Sequence, residues 1–141
     1  MITFEDRIPT AAEQRTVAEA VGWLDHFDWA TIDRSLERSL HGVVVRDGDR
    51  TVGVGRLVGD GVRYWYVQDV MVDPDASEQG IGTRIVERLL EHVRDEAPAE
   101  AVVGLFSSPE AVSVYEEVGF VAATGDPLGM TLDLPAGADD A

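Results

Sequence analysis

The chain has no cysteine and no lysine. Without thiols there is no disulfide, no thiolate metal centre and no cysteine nucleophile, so stability must come from packing alone. All 11 basic residues are arginine, set against 27 acidic ones, for a formal net charge of −16. Neutralising phosphates takes clustered Lys and Arg, so this balance excludes nucleic acid and anionic membrane surfaces as partners. Long apolar runs are missing too. The apolar stretches are short and broken by charge or glycine, so neither a membrane span nor a signal-peptide core is expected, and a cytoplasmic location follows. The acidity either attracts cationic substrates or reflects an acidic proteome adapted to concentrated salt, where screening removes self-repulsion. Its spread along the whole chain, with arginine at every basic position, favours salt adaptation.

What is present fits one domain of 141 residues. Residues 2–5 alternate like a short strand, and Pro9-Thr10-Ala11-Ala12-Glu13 has the spacing of a capping box, which predicts a helix from Thr10 to about Gly22 and Trp23. Ile32, Leu36 and Leu40 predict a second short helix. Strands at 43–45 and 51–58 flank Asp47-Gly48-Asp49 as a hairpin, and Asp60-Gly61 turns into a long strand over 62–72 that stops at Asp73-Pro74. A helix from Ile81 to before Pro98 follows, then a buried strand over 102–106. Ser108 is placed to cap a helix over 109–118 that ends at Gly119. Residues 120–123 and 129–134 are expected to pair as a final hairpin, with a frayed acidic tail over 135–141.

The chemistry concentrates between Ser77 and Arg84. Gly80 and Gly82 leave the backbone without Cβ atoms where a helix begins, so a diphosphate can approach the N–H groups of Gln79, Gly80, Ile81, Gly82 and Thr83, with Arg84 adding a charge. There is no Gly-Lys-Ser/Thr, and the third glycine and acidic residue of a dinucleotide fingerprint are missing. What remains is a pyrophosphate cradle behind a strand whose edge can pair with an extended ligand, the shape of coenzyme A.

Three blocks carry a resemblance. Val67-Gln68-Asp69-Val70-Met71-Val72-Asp73-Pro74, Gln79-Gly80-Ile81-Gly82-Thr83, and Ala111-Val112-Ser113-Val114-Tyr115-Glu116-Glu117-Val118-Gly119-Phe120 resemble, in this order and spacing, the GCN5-related N-acetyltransferase (GNAT) family. The resemblance implies an α/β domain over residues 1–134 with a mixed, mostly antiparallel, twisted sheet of about six to seven strands and about four helices, splayed between strands 4 and 5. It implies acetyl-CoA as co-substrate, with Val70, Met71 and Val72 on its pantetheine arm and Tyr115 as the acid that protonates the leaving thiolate. Two positions depart from the family pattern: Ser77, where Arg or Gln is usual, and Ser108, where Asn is common.

Asp69 is the candidate general base. Strict alternation puts Val67, Asp69 and Met71 on one strand face and Gln68, Val70 and Val72 on the other, so Asp69 turns away from Gln68 unless a bulge intervenes. Gln68 and, among the aromatic residues Trp23, Trp29, Tyr64, Trp65 and Tyr66, chiefly Trp29 are candidates for acceptor binding. His26, His41 and His92 lack metal-ligand spacing, so no metal site is expected. No serine sits in a nucleophile elbow, which favours direct attack by an amine. The acceptor is a small-molecule amine or a protein N-terminus, and the final hairpin offers an edge on which a homodimer can form. A non-catalytic acyl-CoA sensor and a protein-interaction module are the alternatives.

Overall fold

Thr10 opens the first helix as its spacing predicts. Its hydroxyl accepts from the Glu13 N–H at 3.1 Å and the Glu13 carboxylate accepts from the Thr10 N–H at 2.9 Å, a reciprocal cap worth about 1 kcal/mol. Arg7 also clamps Glu13 through two contacts of 2.8 and 2.7 Å, and this guanidinium, with help from the cap, lowers the Glu13 pKa to about 2. The computed structural model of the chain describes residues 1–135, apart from the side chains of Ser77 and Glu78. Strand β1 (Ile2–Glu5) precedes helix α1 (Ala11–Val21), which closes on Gly22 at φ 79°. A 3-10 turn at Leu24–His26 leads to α2 (Ile32–Glu37).

Strands β2 (His41–Asp47), β3 (Arg50–Gly59) and β4 (Tyr64–Val72) form the expected antiparallel meander, with β1 on the outer edge of β2. β4 starts two residues later than predicted. The Asp60 carboxylate accepts from the N–H groups of Val62, Arg63 and Tyr64 at 2.8 to 3.0 Å, which binds residues 62 and 63 into the turn. Helix α3 (Ile81–Glu96) then crosses over and β5 (Val102–Gly104) joins β4 in parallel, giving the order β1-β2-β3-β4-β5.

Helix α3 covers one sheet face with Ile81, Ile85, Val86, Leu89 and Val93, all buried. It lies close because β3 is bare at Gly53 and Gly55, where an added Cβ would meet Ile85 at 3.1 and 2.7 Å. Helix α1 covers the other face, packing Val17 and Ala18 on Val54 and Met71. None of the described helices is long and apolar enough to cross a membrane.

Two expectations near the C-terminus need correction. Residues 120–134 do not pair as a hairpin: a single bridge, Thr124 to Leu128, is the only strand-like contact there, so the described residues hold five strands rather than six or seven. Pro127 lacks a ladder donor, and Gly125 and Gly129 weaken extended structure on either side of it. Ser108 occupies the cap position of the 3-10 turn Pro109–Ala111 ahead of α4 (Val112–Glu117) but makes no side-chain cap bond. The expected acidic tail lies outside the described residues, except for Pro135.

Candidate active site

The site begins where β4 and β5 separate. Their parallel pairing covers Tyr64 with Val102, Trp65 with Val103 and Tyr66 with Gly104, and stops there. β4 runs on to Val72 without a partner on that side, because β5 is only three residues long.

A bulge sharpens the divergence. On β3, Val54 pairs with Met71 and Arg56 with Gln68, so Gly55 stands opposite both Asp69 and Val70. Asp69 takes φ 60°, the only non-glycine positive φ among the described residues. The extra residue reverses the alternation along the strand. Before the bulge Trp65 and Val67 face α3; after it Met71 faces α1, while Val70 and Val72 face α3. This is the exception that the alternation rule allowed for, and it brings Asp69 beside Gln68, whose amide donates to Asp69 Oδ1 at 2.8 Å.

Asp69 is held from three directions. Its Oδ2 accepts from Arg56 Nε at 2.9 Å and from Gln14 Nε2 at 3.1 Å. Arg56 in turn donates to the Ser35 carbonyl and hydroxyl and to the Ser39 hydroxyl, at 3.1 to 3.3 Å. The two charged side chains are only 7 and 9% exposed. Arg56 is a site residue beyond those expected from the sequence, although an arginine inside the apolar run 52–58 needs a buried partner and is a readable signal.

Two cavities flank the split. The first, of about 360 Å³, is bounded by Val70, Met71 and Val72 of β4, Gly80, Gly82 and Thr83 at the start of α3, and Val114 of α4. Gly80, the N-cap residue of α3, has φ 69°, and a Cβ there would meet nothing within 4 Å. At Gly82 a Cβ would lie 3.7 Å from Val72, at the cavity wall. An N-terminus of this kind leaves its first N–H groups without intrahelical acceptors and aims its dipole at the space in front. The side chains of Met71 and Ile81 belong to the core, at 2 and 0% exposure; Met71 borders the cavity and Ile81 does not. Thr83 donates to Glu117 at 3.2 Å.

Gln79 and Arg84 are not part of this wall. The Arg84 guanidinium lies 4.1 Å from the Phe4 ring centre instead. Glu110 is the charged residue that lines the cavity.

The second cavity, of about 510 Å³, is walled by Phe27, Tyr66, Gln68, Asp69, Phe106 and Asp133 among others. It shares Trp23, Val70, Ser108, Ala111 and Tyr115 with the first. Trp29, the aromatic residue expected here, lines neither. Its indole N–H donates to the Leu24 carbonyl at 2.9 Å and its ring packs on Phe27 and under Arg15. Trp23 takes its place, because the left-handed turn at Gly22 swings the chain toward the split.

Tyr115 sits at the junction, 8% exposed and edge-on to Phe120. Burial pushes its phenol above the ordinary tyrosine pKa, so the proton stays in place at neutral pH. Tyr66 is shifted the same way by burial, with the Asp69 charge adding to it.

The fold that carries this site is shared by known proteins. Residues 12–129 fit the family model of the acetyltransferase (GNAT) domain. The chain belongs to the GNAT family. A GCN5-related N-acetyltransferase 1, chloroplastic, from Arabidopsis thaliana is 32% identical over 117 residues, covering 82% of this chain and 56% of that protein. The chain therefore spans little more than half of that GNAT relative. Among solved structures, a GNAT-family acetyltransferase from Streptococcus pneumoniae superposes with a TM-score of 0.79 at 27% identity, covering 97% of this chain and all of the other. A probable acetyltransferase of unknown function from Staphylococcus aureus gives a TM-score of 0.85 at 24% identity, over 95% of this chain and all of that one, and so shares the GNAT fold.

Proposed function

We propose that the protein moves an acetyl group from acetyl-CoA to a primary amine by direct attack. The observation that carries this reading is the meeting of two cavities at Val70 and Tyr115, one opened by glycines at a helix start and the other lined with aromatic and acidic side chains. The donor's diphosphate fits the main-chain N–H groups at residues 80–83, and its extended thiol arm fits the free edge of β4 from Val70 to Val72. With Ser77 and Ser108 at the two departing family positions and Arg84 drawn to Phe4, main-chain amides and the helix dipole do most of the holding.

The acceptor enters by the second cavity. Its neutral amine attacks the thioester carbonyl held against β4; the N–C bond forms, the C–S bond breaks, and the leaving thiolate takes the Tyr115 proton. Asp69, the base candidate, has both oxygens occupied by three donors. It acts here as a positioning residue that fixes the bulge and Gln68; the amine loses its proton to water, and solvent returns one to the Tyr115 phenolate. A small cationic amine suits the acidic surface and the aromatic walls. Incubation with acetyl-CoA and a panel of amines, with detection of free thiol, tests the proposal. Amine-dependent thiol release supports it, whereas donor binding without turnover on any amine would make the protein a sensor.

A further inference from the structure

The second half of α3 meets the sheet through a pair of titratable rings. His41, the first residue of β2, and His92 on α3 stack with ring centres 3.9 Å apart and planes within 1° of parallel. Both are half-buried, the His41 side chain at 17% exposure. Trp65 closes one side of the pair. It stands edge-on to His92 at 6.1 Å, is buried, and its indole N–H has no hydrogen-bond partner among the described residues. The stacking decides what the pair can take up. An imidazole lone pair lies in its ring plane, so two parallel rings aim theirs side by side and not at a common point, as a metal ligand set requires. Among the described residues no group of three or more His, Asp or Glu could hold an ion either. A proton needs no such convergence.

The charges around the pair are few. The turn between β1 and α1 contributes Asp6, α3 contributes Arg88 and Glu96, and β3 and β4 contribute the uncharged Leu57 and Trp65. Asp6 is already committed: Arg88 donates to both of its oxygens, at 3.1 and 2.6 Å, while His41 Nε2 stays 3.9 Å away, beyond hydrogen-bond reach. Glu96 is exposed, one helical turn past His92. One proton on the pair leaves a charged ring stacked on a neutral one. A second puts two like charges 3.9 Å apart with no carboxylate hydrogen-bonded to either among the described residues. Burial, and then the charge on His92, hold the His41 pKa below the ordinary histidine value, with Asp6 and Glu96 opposing.

We propose that the His41–His92 stack is an acid-sensitive clasp, holding the second half of α3 on the sheet while at most one ring is charged and releasing it when both are. Helix α3 is continuous, and its first turn, roughly 16 Å from His92 at 1.5 Å per residue, walls the first cavity. Loss of donor affinity in acid is therefore expected, a consequence that rests on the acetyltransferase reading, whereas the clasp does not. Above the ordinary histidine value of 6.5 neither the folded nor the unfolded chain takes up the second proton. As pH falls through that value, the unfolded chain binds protons that the folded stack resists, so stability is lost down to the lower folded value of His41 and no further.

The chain has three histidines, so proton NMR of the ring C–H signals reads the pair directly, with assignment by His26→Gln, His41→Gln and His92→Gln. Between about pH 8 and about pH 5 the stacked rings should titrate in two separate steps, and His92→Gln should move the His41 step to higher pH by about half a unit or more. The wild-type melting temperature should fall more steeply from about pH 7 to about pH 5 than that of the His41→Gln, His92→Gln double variant. Over the same range amide exchange in the second half of α3 should quicken in the wild type alone. Two rings that titrate as independent groups in the wild type would overturn the proposal, and so would a folded double variant whose melting temperature tracks the wild type across that range. Neither measurement uses a donor, so the clasp stands or falls apart from the acetyltransferase reading.

Discussion

Tyr115 and Asp69 illustrate how much a single side chain's surroundings decide. Tyr115→Phe removes the proposed proton donor and leaves the cavity shape intact, so kcat should fall by about 10²-fold with little change in the KM for acetyl-CoA. Because burial raises the phenol pKa, the acid form persists through neutral pH, and activity should decline only as pH rises past the ordinary tyrosine value. A kcat profile that falls well below that pH would show another group supplying the proton. Asp69→Asn keeps a side chain that tolerates positive φ but leaves Arg56 buried without its counter-charge, a loss of about 3 kcal/mol readable by denaturant unfolding. Retention of most of the turnover rate in folded Asp69→Asn would support positioning over proton abstraction.

At the scale of elements, the helix starts are where local sequence speaks most directly. The Thr10 cap and the Gly80 turn form as their residue types require, since each is decided within a few neighbours. Gly82→Val should raise the KM for acetyl-CoA severalfold without shifting the melting temperature much, because the added methyls point at the cavity and not at the core. Glu13 adds a pH signature. Its folded pKa, about 2, is below its unfolded value, so the stability it contributes is complete above that unfolded value and is lost as pH falls toward 2. Thermal melts of wild type and Glu13→Gln should converge in that acidic window. The meander, the α3 crossover and the glycine loop were all legible because they follow from period and turn chemistry. The β4 bulge was not, since nothing local marks Asp69 for positive φ; Arg56, thirteen residues away, and Gln14, on another element, hold it. Trp29 and Trp23 are not separable in the sequence for a similar reason: the direction of the chain after Gly22, not residue type, decides which indole reaches the split. The expected final hairpin does not form, because an alternating pattern identifies an apolar face but not the strand that would pair with it.

For the whole molecule, charge dominates. A net charge of −16 repels itself and would repel the proposed anionic donor, and no arginine is among the residues lining the first cavity. Raising salt from tens of millimolar to the molar range should therefore raise the melting temperature and lower the KM for acetyl-CoA together. A melting temperature that stays flat across that range would argue against adaptation to salt. In the proposed reading the two cavities, which share Val70 and Tyr115, take the diphosphate at the glycine-opened helix start and the amine at the far side, and a crystal structure with coenzyme A tests that placement most directly. The diphosphate oxygens should lie within hydrogen-bond reach of the N–H groups at residues 80–83, with the sulfur beside the Tyr115 hydroxyl. A diphosphate bound elsewhere, or a thiol arm lying outside the gap between β4 and β5, would contradict it.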